Sequence, residues 1–346
     1  MDQRITQIIT FTDSENYGAI FQAFSLRQVC LNFSESVEFL KHNRQADRRL
    51  KFRVYHLIRL LLGLRMRMKK TEAFQAEHCP FAEAHRGSGS KYILGSDQIW
   101  QPGLIDQKDL FYLGASIPRN ADIQSYASSF GTTQGLKEHE NTYRTYLGRL
   151  ERISVREETG RDFLESIQLR SEVVVDPTLL LSQNDYVKFL PNRATVEGEF
   201  ILCYVMTGDT PGTEAIISLA KKENPGKKIV VLGDREINFY KRDGVTRLFN
   251  CGPRDFLSLF HTCVKVYTSS FHGTCFSHVF NKPLTVCLNQ GNNKNIRITN
   301  LLHQLSGFRL FKVNGKNVIQ DKSIRGDGSI DLSIARSKQY IKELYD

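Results

Sequence analysis

No stretch of the chain approaches the roughly 18 apolar residues that a membrane-spanning helix needs. The longest apolar patch, Leu57–Leu64, is broken by Arg59. No CxxC pair occurs, and the seven cysteines are scattered at Cys30, Cys79, Cys203, Cys251, Cys263, Cys275 and Cys287. Their number is odd, and several lie inside apolar runs such as TVCLN at 285–289. This excludes a disulfide framework and a zinc ribbon, and implies buried thiols in a reducing compartment. The opening MDQRITQIITFTDSENYG has no apolar core with basic flanks and no small-residue cleavage site. It does not read as a signal peptide. Clustered His, Asp and Cys ligands are also missing, so no metal site is expected. Low-complexity tracts and short-period repeats are absent.

What is present is ordinary globular composition: 346 residues, 40% apolar and 24% charged. The length suits two domains. The net charge of +10 is concentrated in residues 41–70, where eleven Lys and Arg face one acid, Asp47. The remainder is therefore close to neutral. A uniformly basic chain would suggest nucleic acid; a neutral chain with one basic arm does not. The arm, RRLKFRVYHLIRLLLGLRMRMKK (Arg48–Lys70), mixes Leu, Ile, Val and Phe with its cations. Such a stretch suits an anionic membrane surface. The bland reading is a solvated helical excursion.

Strand-like and helix-like segments alternate throughout. RITQIITF, the turn DSENYG and AIFQAFSLRQVCLNF form the first strand–turn–helix unit. SVEFL, KYILGSDQIW, ADIQSYASSFG, ERISVREETGRDFLES and RSEVVVDPTLLL continue the first half. EFILCYVMTG, KKIVVLGD, VKVYTSS and PLTVCLN are the strands of the second, separated by helical runs. The expected architecture is α/β, two doubly wound Rossmann-like domains facing across a cleft. The first spans 1–182 with the basic insertion 41–70, a linker covers 183–198, and the second spans 199–325. A terminal helix in 326–346 is expected to pack back on the first domain. Ligands in such folds sit outside the carboxyl ends of the strands, and here those ends carry Gly, Ser, Asp or Arg.

Taken in order, NYGAIFQAFSLR (16–27), LGSDQIW (94–100), SYASSFG (125–131), SVREETG (154–160) with DPTLLL (176–181), and GPRDFLSLF followed by TSSFHGTCFSHVFNKP resemble the polysaccharide pyruvyl transferases. The resemblance runs from about Asn16 to Leu302. It implies a GT-B-like fold and transfer of the pyruvyl group of phosphoenolpyruvate to a sugar of a surface or capsular polysaccharide precursor. The implied product is a 4,6-linked ketal on galactose of a lipid-linked intermediate, with phosphate released. Phosphoenolpyruvate is then donor substrate, with no further cofactor. The implied setting is cytoplasmic, peripheral at the inner face of a bacterial membrane, held there by residues 41–70. Two alternatives stay open: a GT-B glycosyltransferase using a nucleotide sugar, with Asp255 as a weak ribose partner, and a non-catalytic protein that binds membrane or nucleic acid through its arm.

The reacting groups follow from that chemistry. His272, at a strand–helix junction, matches the family histidine taken as general acid; the bland reading is a packed or capping histidine. Ser270, Phe271 and Gly273 surround the start of the same helix, whose N–H groups and dipole suit an anion. Gly273 permits close ligand approach, and Ser269 or Ser270 equally suits a plain cap. Some relatives carry a cation where this chain has Ser270. Arg156 offers a planar fork for the donor, or else a salt bridge to Glu157 or Glu158. Lys294 resembles a donor-binding lysine, and Arg297 can substitute. Asp97 can accept a proton from a sugar hydroxyl, or bond its own turn; Trp100 can stack on a sugar, or sit in the core. Asn16 and Tyr17 are placed to line the acceptor side. His278 reads as packing, and Asp176–Pro177 as the structural end of a strand.

Overall fold

The computed structural model describes residues 5–12, 16–42, 65–82, 90–206, 210–233, 244–288, 295–305, 308–313, 316–321 and 329–346. The first sheet comprises β1 (Ile5–Ile9), β2 (Ser36–Leu40), β3 (Phe81–Ala82), β4 (Ser90–Leu94) and β5 (Asp122–Ser125). Its order is β3-β2-β1-β4-β5 and every pairing is parallel. β6 (Ser154–Val155) and β7 (Glu172–Val173) pair with each other, and bridges from Gln124 to Arg152 and Ser128 to Val155 join them to the β5 side.

The second sheet comprises β8 (Phe200–Val205), β9 (Lys228–Gly233), β10 (Val245–Leu248), β11 (Lys265–Thr268), β12 (Leu284–Leu288), β13 (Phe308–Val313) and β14 (Lys316–Asp321). Its order is β10-β9-β8-β11-β12-β14-β13. The first five run parallel, and β14 and β13 close the edge as an antiparallel pair. All six residues of β8 are buried, as expected for a parallel strand covered on both faces. The fold is α/β with two Rossmann-like, GT-B-like sheets. In each, the order reverses beside the first strand, between β1 and β4 and between β8 and β11, which opens a crevice at the carboxyl ends.

The helix Tyr17–Cys30 lies between the halves. Twelve of its fourteen residues are buried, so it is covered nearly all round instead of showing one wet face. Phe21 packs on Phe256 at 5.4 Å and on Phe276 at 5.2 Å, and Tyr17 stacks on Phe256 at 4.8 Å. One hydrophobic cluster therefore contains residues of both sheets and both sets of helices. Each such aromatic pair adds about 0.5–1.5 kcal/mol beyond area burial. The last helix, Ser329–Glu343, crosses back to the first half. Ser337 Oγ accepts the Val175 N–H at 2.9 Å, and Tyr340 donates to the Ser125 carbonyl at 3.1 Å.

The membrane role expected of residues 41–70 is corrected here. Residues 43–64 lie outside the described residues. Beyond them, 65–70 begin the helix Arg65–His78, and two of its cations face protein. Arg67 is 2% exposed, with its guanidinium 4.5 Å from the Tyr17 ring centroid and a hydrogen bond to the Gly233 carbonyl at 3.4 Å. Lys70 pairs with Asp255 at 2.7 Å. This end of the arm clamps the two halves together. Arg67 and Lys70, counted with the surface cations of the arm, are thus used inside the protein. Among the described residues, no helix is long and apolar enough to cross a membrane.

Candidate functional site

Asp97 follows β4, Arg156 follows β6, Asp176 follows β7 and His272 follows β11, so four strand ends deliver four side chains to one place. Asp97 adopts a left-handed backbone, φ 75°, which short polar side chains tolerate best. Its carbonyl accepts the Ser129 N–H and its carboxylate accepts the Gln98 N–H, both at 2.9 Å. Asp176 begins the turn Pro177–Leu179. Its Oδ1 accepts the Thr178 N–H at 3.0 Å and the Thr178 hydroxyl at 2.7 Å. His272 is the second residue of the helix Phe271–Val279.

Arg156 Nη1 meets Asp176 Oδ2 at 2.6 Å, Nη2 lies 3.7 Å from Asp97 and Nε 3.9 Å from Glu157. His272 Nε2 lies 3.6 Å from Asp176 Oδ2, an ion-pair distance and too long for a hydrogen bond. The Phe271 ring is flanked by two guanidinium groups, Arg156 at 4.7 Å and Arg297 at 5.7 Å. With its amide oxygen turned toward Arg297, Gln98 accepts from Nη2 at 2.5 Å and Nη1 at 2.8 Å. Glu157 Oε1 accepts the Ser129 hydroxyl at 2.7 Å and the Phe130 N–H at 3.0 Å.

Burial alone would raise the Asp176 carboxyl; the charges of His272 and Arg156 and the Thr178 N–H outweigh it and hold the group well below the usual carboxylate range. Burial would likewise favour loss of the Arg156 proton, but Asp176, Asp97 and Glu157 hold the guanidinium charged more firmly than usual. Arg297 has weaker support. Burial, then the neighbouring Arg156, brings it down to about 10. Several buried polar atoms have no hydrogen-bond partner within the described chain: Arg156 Nε and Nη2, His272 Nε2, Glu157 Oε2 and Arg297 Nε. Each such atom costs about 1–3 kcal/mol unless something polar meets it. The set offers donors and acceptors together, with a histidine able to move a proton.

The expected residues divide clearly in placement. His272, Arg156, Asp97 and Phe271 come together. Ser270 Oγ is occupied as the helix cap, accepting the Gly273 N–H at 3.3 Å. A Cβ on Gly273 would lie 2.3 Å from Thr268 Oγ1 and 2.9 Å from Tyr204, so that glycine seats the helix on its own sheet. Asn16 caps its helix by accepting the Gly18 N–H at 2.8 Å. Tyr17 is wholly buried and donates to the Cys251 carbonyl at 2.6 Å. Trp100 is 1% exposed, beside Phe130, and donates to the Tyr112 carbonyl at 3.3 Å, so it presents no face for a sugar. Lys294 lies outside the described residues. Asp255, the weak ribose partner, is used by Lys70, Thr195 and the Gly252 N–H. Asp176 and Glu157 carry more than their sequence reading allowed. The signal for Asp176 was its place at a strand's carboxyl end, which it shares with the other three. Among the described residues, no group of three or more His, Cys, Asp or Glu is arranged to hold a metal ion.

These features define a two-sheet, GT-B-like α/β protein with a polar, ionised cleft at its strand ends. The chain belongs to the polysaccharide pyruvyl transferase family, whose model matches residues 16–291. No curated protein matches it in sequence. Among solved structures it is similar in fold to UDP-GlcNAc 2-epimerase from Neisseria meningitidis bound to UDP-GlcNAc. Identity there is 10%, covering 99% of this chain and 92% of that one, with a TM-score of 0.50. The Methanocaldococcus jannaschii UDP-GlcNAc 2-epimerase, in complex with UDP-GlcNAc and UDP, shows 12% identity, 97% and 99% coverage and a TM-score of 0.47. The Rickettsia bellii UDP-N-acetylglucosamine 2-epimerase shows 9% identity, 98% and 95% coverage and a TM-score of 0.48.

The donor expectation is corrected accordingly. Phosphoenolpyruvate as substrate and partner, and the 4,6-ketal on a lipid-linked galactose, are not carried over to this chain. Its fold is similar to that of a structure solved with UDP-GlcNAc. Of the Arg156 fork, Nη1 is bonded to Asp176 at 2.6 Å, and the Asp97 and Glu157 carboxylates lie 3.7 and 3.9 Å from its other nitrogens.

Proposed function

We propose that the protein is a GT-B-type transferase that uses a nucleotide-linked sugar in assembling a polysaccharide precursor. One observation carries the reading. Among the described residues the cleft interleaves Asp97, Glu157 and Asp176 with Arg156, Arg297 and His272, and buried donors and acceptors of this set lack a hydrogen-bond partner. Sugar hydroxyls call for donors and acceptors interleaved, as here. Membership of a polysaccharide-modifying family and a fold shared with a UDP-GlcNAc-bound enzyme support the same substrate class.

In this reading His272 takes the proton of the attacking acceptor hydroxyl, and Asp97 and Glu157 hold sugar hydroxyls. The leaving diphosphate lies against the first turn of the helix Phe271–Val279, with Arg297 beside it. The test is incubation of the full chain with a panel of UDP-sugars and saccharide acceptors, following nucleoside diphosphate release and product mass. Nucleoside diphosphate release that requires acceptor and disappears in His272→Ala supports the reading. Phosphate released from phosphoenolpyruvate, with no nucleoside diphosphate from any sugar nucleotide, overturns it.

A further inference from the structure

We infer that Asp176 and Gly18 are positioning residues for His272, so that the first half of the chain builds the seat in which the second half's imidazole works. The inference rests on the reading above that His272 moves a proton, and it adds how the ring is aimed.

The seat has two walls. One is the Asp176 carboxylate, fully buried and unable to turn. Its Oδ1 is pinned twice by Thr178, at 3.0 and 2.7 Å. Its Oδ2 is held by Arg156 at 2.6 Å and faces the Ser96 hydroxyl at 3.4 Å. The same oxygen lies 3.6 Å from His272 Nε2. A fixed carboxylate beside an imidazole sets its orientation and stabilises the imidazolium that forms when it takes a proton.

The other wall is Gly18. A Cβ placed there would lie 2.0 Å from His272 Nδ1, 2.5 Å from Cγ and 2.6 Å from Cε1. Gly18 is a helical residue outside the left-handed region, so its backbone demands no glycine. Space for the ring is the reason a side chain is missing. The charged groups around the ring are Asp176, Arg156 behind it, and Arg297 beyond Phe271. The helix Tyr17–Cys30 contributes no charge in its first turns.

The experiment uses the full chain with 15N-labelled histidine, the His272 ring signals being assigned by their loss in His272→Gln. Asp176→Asn keeps the shape and removes the charge; Gly18→Ala fills the wall. Folding of each is checked by circular dichroism. Expected are altered His272 ring-nitrogen shifts in both variants. Sugar-nucleotide kcat should fall about 100-fold, as for a displaced catalytic group, with KM little changed. Unaltered His272 shifts and kcat in the folded variants overturn the inference. If Asp176→Asn does not fold, Gly18→Ala decides. His272 shifts that respond while the wild type turns over no sugar nucleotide leave the seat standing and sink the proposed function instead.

Discussion

Arg156 and Asp176 meet at 2.6 Å with their side chains 2% and 0% exposed. Removing one member of such a pair leaves a charge without water or partner, at a cost of about 3–5 kcal/mol. Arg156→Met is therefore expected to lower unfolding free energy by about that amount in urea titrations. Arg156→Met combined with Asp176→Asn should recover part of the loss, because neither residue is then charged. Simple addition of the two single effects would refute the coupling.

Acid should act through the same carboxylate. The Asp176 carboxyl is held below its usual range in the folded chain, so it is harder to protonate folded than unfolded. Its contribution is present above the unfolded value of about 4 and is lost as pH falls further. Thermal melts from pH 7 to pH 3 should show Asp176→Asn less stable than wild type at neutral pH, with the gap narrowing below about pH 4. A gap that stays constant would mean the charge is not what stabilises.

Two histidines on one helix should behave differently. His272 faces Asp176 at 3.6 Å, whereas burial lowers the tendency of His278 to take up a proton. His272→Ala should reduce turnover by about 10²–10⁴-fold. His272 is buried beside the Asp176 carboxylate, so its loss should also lower unfolding free energy, by about 1–3 kcal/mol, with the fold retained. His278→Ala should leave kcat within about threefold of wild type, since it removes no cleft group. Equal kinetic losses in the two variants would count against the assignment.

Arg67→Ala tests the clamp between the halves. The guanidinium is stacked on Tyr17 at 4.5 Å and buried, so its loss should cost about 2 kcal/mol and lower the melting temperature. Co-sedimentation with anionic vesicles should not differ between wild type and variant. A selective loss of vesicle binding without destabilisation would restore a membrane role for this segment.

Much of the fold could be read from composition along the chain. EFILCYV, KIVVLG and LTVCL are apolar on both faces, as parallel strands buried between helices must be. The pair β13 and β14 has its own signal, Asn314-Gly315 between FRLFKV and KNVIQD, which a reading that ends the sheet at PLTVCLN passes over. The first turns of the helix Arg65–His78, residues 65–70, read as the end of a basic surface arm, since pattern alone assigns charge to the outside. Arg67 goes inside only because the other half supplies a carbonyl and helps seat the tyrosine ring beneath it. At the site, His272, Arg156 and Asp97 were legible as polar residues at strand ends. The role of Asp176 was not, because its partners lie 20 and 96 positions away in sequence and meet it only once both sheets are assembled.

The aromatic contacts of Phe21 with Phe256 and Phe276 have one more consequence. Two-domain enzymes with a thin, wet junction open and close by swinging about a hinge. Here a swing would drag phenylalanine faces into water. The two halves therefore share one core and should lose their structure together. Heat should then melt both halves in a single calorimetric peak.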